Sequence, residues 1–383
     1  MVNQEQLFKA LEGMGVKFFT GVPDSLLNDF CLYMVKNIPD GQHVMTANEG
    51  NAVAIAAGHY MATGDIPVVY MQNSGIGNAT NPLLSLTHNC VYGIPMILVI
   101  GWRGDPAITD HAQHKKQGEL TPVLMTDMDI PYKILDDENT VVQMFEWAVG
   151  KAKEISAPVA LIAKKGILTE KVKKQEYPDS LLMNREQAIS EVLDYFGKEA
   201  IYLATTGRAT RELHEQLKTK GYPEGCEFLN VGSMGHVSSV GLGIALASPD
   251  KKVVVFDGDA AAVMHMGALA TIGRYQPKNL IHIVLNNGVN ESVGGQPSCG
   301  YTINLTGIAK NCGYQTVGRY VETAEELGNV LNLLAIGIHP AFLDIHVRQG
   351  IRKDMPKLDI DHKVQKKALM ENLIKNDRTN NTL

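Results

Sequence analysis

The sequence contains no C-x-x-C pair, no apolar run approaching the roughly 18 residues of a membrane span, and no block of like charge long enough to form a charged tail. Each absence removes a class of protein. Cys31, Cys90, Cys226, Cys299 and Cys312 are odd in number and far apart, so they read as small core hydrophobes in a reducing compartment, not as a disulfide framework. The opening MVNQEQLFKALEGMG has an amphipathic helical pattern without the cationic start and apolar core of a secretory signal. A soluble, cytoplasmic protein with no membrane partner is therefore expected. Lys and Arg number 35 against 41 Asp and Glu, a formal charge of −6, which gives no electrostatic footprint for nucleic acid. The basic run Lys171 to Lys174 reads as solvated linker.

What is present is a chain of 383 residues with 45% hydrophobic content, enough for two ordinary globular cores. Short apolar runs alternate with helical patterns: VKFFTGV, IPVVYM, IPMILVI and APVALIA in the first half, AIYLAT, KKVVVFD, NLIHIVLN and PAFLDIHV in the second. Such alternation predicts parallel sheets covered on both faces. The polar, Pro-containing stretch TEKVKKQEYPDSLLMNREQ separates the halves. The expected organisation is a domain at 1–170, a linker at 171–184 and a domain at 185–383, both doubly wound α/β. The halves also repeat a rough plan of Ala/Gly-rich helix, strand and small-residue bend.

The bend in VVVFDGDAAAVMHMGAL points backbone N–H groups of a following helix above the sheet's carboxyl edge, where open α/β sheets bind ligands. Neither G-x-G-x-x-G nor G-x-x-x-x-G-K-[ST] is present, which weakens dinucleotide and P-loop readings. Asp259 would repel a bare phosphate, and a divalent cation between the two removes the conflict, since Mg²⁺ takes carboxylate and phosphate oxygens together. A second ligand is then expected at the end of an adjacent strand, where NLIHIVLNNGVNES supplies Asn286 and Asn287.

These residues resemble the thiamine diphosphate-dependent enzymes, whose signature is Gly-Asp-Gly followed by a strand ending in Asn-Asn. Ala260 stands where the family usually has its second glycine. The resemblance implies thiamine diphosphate and Mg²⁺ as cofactors. Asp259, the Asn287 side chain and the Val289 carbonyl would be the metal ligands, and Gly258, Asp259, Ala260 and Ala261 would line the diphosphate. TANEGNAVAIAAGHYMATG is similar to the family's helix carrying the glutamate that hydrogen-bonds the aminopyrimidine, which implies a catalytic role for Glu49; read alone, an isolated acid there is more commonly a helix N-terminal acid facing the dipole. NSGIGNATNP resembles a coenzyme-contacting loop, with Ser74 and Gly75 lining it and Ile76 replacing a proline. NVGSMGHVSS resembles the segment holding the coenzyme bent, with Gly232, Ser233 and the apolar wedge Met234; a methionine there is also ordinary core filler. Two domains without a middle domain are implied, an aminopyrimidine-binding first half and a diphosphate-binding second half. A homodimer or higher homo-oligomer would share each site between subunits.

GVPDSLL, GWRGDPAITDHAQHKKQG, ATTGRATREL and NNGVNESVGGQPS resemble the phosphonopyruvate-decarboxylating branch of that family more than its other branches, with the sulfopyruvate-decarboxylating branch as rival. A small 2-oxo acid with a second anionic group needs cations and polar donors. Arg103, Lys115, Lys116 and Arg208 are the candidate cations, with Asp24, Ser25, Ser292 and Gln296 as polar liners; the two lysines read equally as solvated charges. His111 and His114 are candidate proton donors, or else structural loop histidines. A coenzyme-binding paralogue without chemistry and a nucleotide-dependent oxidoreductase are the alternatives from other classes. RQGIRKDMPKL reads as a surface tail, with a substrate lid as the alternative.

Overall fold

Runs such as VVYMQ and MILVIG have no polar face, so as strands they are stable only where both faces are covered. The computed structural model describes residues 2–168, 182–335 and 340–380, and the chain divides into two units, Met1–Glu176 with Ser292–Gln296 and Tyr177–Glu291 with Pro297–Leu383. The expected linker at 171–184 falls largely outside the described residues.

The first unit is built on six strands: β1 (Phe19–Gly21), β2 (His43–Met45), β3 (Val68–Gln72), β4 (Met96–Gly101), β5 (Tyr132–Leu135) and β6 (Pro158–Ala163). They stand in the order β2-β1-β3-β4-β6-β5, and every pairing is parallel. The second unit has β7 (Ile201–Ala204), β8 (Glu227–Leu229), β9 (Val253–Gly258) and β10 (Leu280–Asn286). Two short strands, β11 (Val289–Asn290) and β12 (Gln296–Pro297), precede β13 (Gln315–Thr316) and β14 (Ala341–His346). Its sheet, also parallel, runs β13-β14-β10-β9-β7-β8. With β11 and β12 set aside, this is the winding of the first sheet. The fold is α/β with two doubly wound parallel sheets and no middle domain.

Successive strand residues point to opposite faces, so each sheet feeds two cores. Val68 and Tyr70 enter one cluster, Val69 and Met71 the other; in the second unit Val254 and Phe256 divide from Val253 and Val255. In both sheets the strand order reverses beside the first strand, between β1 and β3 and between β7 and β9, and open α/β sheets bind ligands at the carboxyl ends of such switch points. Among the described residues no helix is long and apolar enough to cross a membrane.

One contact in the first sheet spans three strands. Gly21 on β1 pairs in register with Tyr70 on β3, and a methyl group on Gly21 would collide with the Tyr70 carbonyl and ring. The bare glycine lets the phenol lie across β1, and its hydroxyl reaches His43 Nε2 on the edge strand β2 at 2.8 Å.

Candidate active site

After β2 the chain turns into the helix Glu49–Thr63, capped by Asn48, whose side chain accepts from the Gly50 N–H at 2.8 Å. Glu49 opens the first turn, where free N–H groups favour an anion. Yet it is only 4% exposed, and burial pushes its carboxyl above the ordinary range even though Asn78 Nδ2 donates to Oε2 at 2.7 Å. Gly75 makes the room: a methyl group there would stand 2.5 Å from Glu49 Cγ and Oε1. Its φ of −72° is ordinary, so Gly75 is needed for space and not for conformation. Ser74 beside it is exposed and donates to Gln72 Oε1 at 3.1 Å.

In the second unit β9 ends at Gly258, which caps the helix Asp259–Met264. Ala260 is helical and not among the residues of positive φ, so its methyl group meets no backbone strain. Ala261 is buried beside it. Asp259 is buried and accepts from Ser298 Oγ and from the backbone N–H groups of Ala260 and Asn287, but burial still raises its carboxyl to about 6. Among the described residues no lysine or arginine forms an ion pair with it.

The neighbouring strand β10 delivers Asn286 and Asn287 at the same level, since Leu285 pairs with Gly258. Asn286 is structural: its Nδ2 donates to the Gly300 carbonyl at 2.9 Å and its Oδ1 accepts from the Gly288 N–H at 3.1 Å. Asn287 Oδ1 accepts from the Val289 N–H at 3.2 Å, and its Nδ2 donates to Glu291 Oε2 at 3.1 Å. A methyl group on Gly300 would overlap both Asn286 Oδ1 and Asp259 Oδ2. The Asp259 carboxylate, the Asn287 amide oxygen and the Val289 carbonyl are all oxygen donors, the type a hard divalent cation takes. Among the described residues no group of three or more His, Cys, Asp and Glu side chains forms a competing metal centre. Asp344 on β14 adds to the local acidity; burial, with the charge of Asp259, raises it to about 7.

Ser233 has φ 51°, a left-handed conformation that a non-glycine residue holds at a cost of about 1–3 kcal/mol, and such strain collects at functional sites. Its carbonyl accepts from Asn230 Nδ2 at 3.2 Å. Ser233 is exposed, while Gly232 and Met234 on either side are half-buried. His236 stacks on His265 with ring centroids 4.1 Å apart, a pair the sequence did not single out.

The expected substrate contacts fall into separate groups. In the first unit Asp110 grips Arg103 through Nε at 2.8 Å and Nη2 at 2.6 Å, while Arg103 Nη1 donates to Ser25 Oγ at 3.2 Å. The Arg103 guanidinium holds the Asp110 carboxyl far below its ordinary range. His114 joins this group, with Nδ1 3.1 Å from Asp110 Oδ1, and burial lowers its pKa. His111 is exposed, its ring 6.2 Å from that of His114. Lys115 and Lys116 are exposed, and Lys116 pairs with Glu119 at 2.9 Å. Asp24 is fully buried, caps the turn Ser25–Leu27 and accepts from Gln72 Nε2 at 2.8 Å; burial raises its carboxyl. Gln296 is buried and donates to the Val293 carbonyl at 3.3 Å, whereas Ser292 is exposed.

Arg208, in the second unit, is engaged by Glu291: Nη1 lies 2.7 Å from Oε1 and Nη2 donates to the Glu291 carbonyl at 3.3 Å. Asp110, Ser298 and Glu291 were missed in the sequence. Asp110 and Ser298 lay inside quoted segments, but nothing in their spacing marked them; Glu291 acts through partners distant in the chain.

Residues 205–345 match the family described as "Thiamine pyrophosphate enzyme, C-terminal TPP binding domain", and residues 1–125 match its N-terminal TPP binding domain. The chain is 30% identical to a phosphonopyruvate decarboxylase of Streptomyces viridochromogenes, covering 91% of this chain and 89% of that one. It is 31% identical to a phosphonopyruvate decarboxylase of Streptomyces hygroscopicus over 83% of this chain and 80% of the relative. A sulfopyruvate decarboxylase of Methanosarcina acetivorans is 29% identical, with 82% and 84% covered.

Proposed function

Because the chain belongs to the thiamine pyrophosphate enzymes, we propose that it is a carboxy-lyase converting 3-phosphonopyruvate to phosphonoacetaldehyde and carbon dioxide, a step of phosphonate (2-aminoethylphosphonate) biosynthesis. The observation that carries the substrate is the similarity to two proteins of that activity over more than 80% of the chain. Thiamine diphosphate, when bound, supplies the electron sink into which a 2-oxo acid loses its carboxylate.

The chain's own residues divide the remaining tasks. Asp259, Asn287 and the Val289 carbonyl would hold Mg²⁺, and Gly258, Asp259, Ala260 and Ala261 would line the diphosphate. Gly232, Ser233 and Met234 would support the coenzyme's middle, and Ser74 and Gly75 would line its aminopyrimidine. Glu49 shares a proton with the pyrimidine ring nitrogen; its raised pKa supports this role, because a buried carboxyl takes up and returns a proton closer to neutrality.

Arg103 and Ser25 bind substrate anion on a frame set by Asp24, with Lys115, Lys116, Arg208, Ser292 and Gln296 as further contacts. His114, with His111, returns the proton that replaces carbon dioxide; the hydrogen bond that His114 Nδ1 donates to Asp110 fixes the ring. Two copies of the chain form the minimal active unit, in the cytoplasm.

The test is carbon dioxide release by the purified protein from phosphonopyruvate, sulfopyruvate and pyruvate with thiamine diphosphate and Mg²⁺. Phosphonopyruvate is expected to have the highest kcat/KM. Equal or faster turnover of sulfopyruvate would replace the substrate while leaving the reaction class intact.

A further inference from the structure

Arg185 opens the first helix of the second unit and is 5% exposed. It is gripped by Glu212 through Nε at 2.5 Å and Nη2 at 2.9 Å, and its Nη1 donates to Glu291 Oε2 at 2.7 Å. Arg208 takes the other oxygen of Glu291, Oε1, at 2.7 Å. The Gly350 N–H also donates to Oε1, while the Gly350 carbonyl accepts from Arg185 Nη2 at 3.1 Å. Two arginines and two glutamates thus balance in charge inside the unit, and the segment RQGIRKDMPKL is tied into the network at Gly350. Arg352 in the same segment pairs with Glu186 at 3.1 Å and Asp354 at 2.7 Å.

Glu291 links this network to the Asn287 side chain. Glu291 Oε2, already held by Arg185, accepts from Asn287 Nδ2 at 3.1 Å. An amide has two ends of nearly equal size and opposite hydrogen-bonding character. A carboxylate locked by two arginines accepts and cannot donate, so it fixes which end of Asn287 faces it. Oδ1 is left on the other side, where the Val289 N–H holds it at 3.2 Å.

We infer that Glu291 is a positioning residue that sets the Asn287 amide with its oxygen toward the cation, and that Arg185 and Arg208 act by holding the Glu291 carboxylate aimed at it. This rests on reading Asp259 and Asn287 as cation ligands, and it assigns the arginine predicted to bind substrate, Arg208, a second task. In Glu291→Gln one oxygen becomes an amino group facing other donors, and the Asn287 amide gains by flipping its oxygen toward it. That flip turns Nδ2, a donor, to the cation.

The probe is Mn²⁺, with free ion counted by electron paramagnetic resonance at saturating thiamine diphosphate, beside thermal melts of the same samples. Glu291→Gln is expected to weaken Mn²⁺ binding at least about tenfold, the usual effect of losing a partner behind a ligand. Glu212→Gln disturbs the same ion pairs without touching Asn287, so it should lower the melting temperature and leave Mn²⁺ affinity unchanged. Asn287→Asp has two equivalent oxygens and cannot be misoriented; in that background Glu291→Gln should cost little Mn²⁺ affinity. Should Glu291→Gln fail to fold, Glu291→Asp keeps the charge but withdraws from Asn287, and is expected to weaken Mn²⁺ binding with a smaller change in melting temperature. Wild-type binding with unchanged affinity in the Glu291 variants, or equal losses in Glu212→Gln, overturns the positioning role alone. A wild-type chain that takes up no Mn²⁺ removes the cation site, and this inference with it.

Discussion

Glu49 and Asp259 are both acids at helix starts, both buried, and both raised by that burial. They differ in their neighbours. Asn78 donates a side-chain hydrogen bond to Glu49, whereas Asp259 accepts from Ser298 Oγ and from the backbone N–H groups of Ala260 and Asn287. Glu49→Gln is nearly isosteric above Gly75, so coenzyme uptake in a titration should stay within a few-fold of wild type. Turnover should fall by about 10²–10⁴-fold, the usual worth of a general acid–base group. Near-normal turnover, or near-normal exchange of the coenzyme's C2 proton by NMR, would remove Glu49 from the chemistry. Asp259 stood out in the sequence as a candidate because an acid in a small-residue bend conflicts with a phosphate unless a cation intervenes, and the structure buries it at a helix start. Glu291 did not, because its meaning depends on Arg185 and Gly350, which only the fold brings to it.

The strands of the two sheets were legible according to their position. VVYMQ, MILVIG, PVALIA, VVVFDG and LIHIVLN are central, buried on both faces, and predominantly apolar. The strands that no run announced, β2, β5, β8 and β13, are the four sheet edges. Edge strands are short and half-covered, so their residues, as in HVM and QT, carry no continuous apolar signal. The edge strand β2 depends instead on the tie from His43 to Tyr70. Burial lowers His43 to about 4 from an ordinary 6.5, so the folded chain holds it neutral while the unfolded chain takes up a proton below 6.5. Its contribution is complete above pH 6.5 and is lost as pH falls to 4, amounting to about 3 kcal/mol. Urea unfolding at pH 7, 5.5 and 4.5 should show this slope, and His43→Gln should flatten it; parallel slopes would refute the assignment.

At the scale of the whole molecule, ligand binding is read as added stability. With thiamine diphosphate and Mg²⁺ at about 100 times their dissociation constants, the folded state gains about 2.7 kcal/mol. The melting temperature should rise by several degrees, and each component alone should give less than the pair. NAD should give no shift; a shift with NAD and none with thiamine diphosphate would favour the oxidoreductase alternative.

The two sheets share one winding, so the chain carries a single blueprint twice. The turn after β3 and the turn after β9 are the same place in that blueprint, as are the ends of β4 and β10. One copy puts Asn73 and Ser74, and then Arg103, at these corners; the other puts Asp259 and Asn287 there. Redundancy of plan gives freedom of content: once the frame is held by buried aliphatic strands, each copy's corners can specialise independently. The turn after β9 carries Asp259 where the turn after β3 carries Asn73 and Ser74, and the end of β10 leads to Asn287 where the end of β4 leads to Arg103.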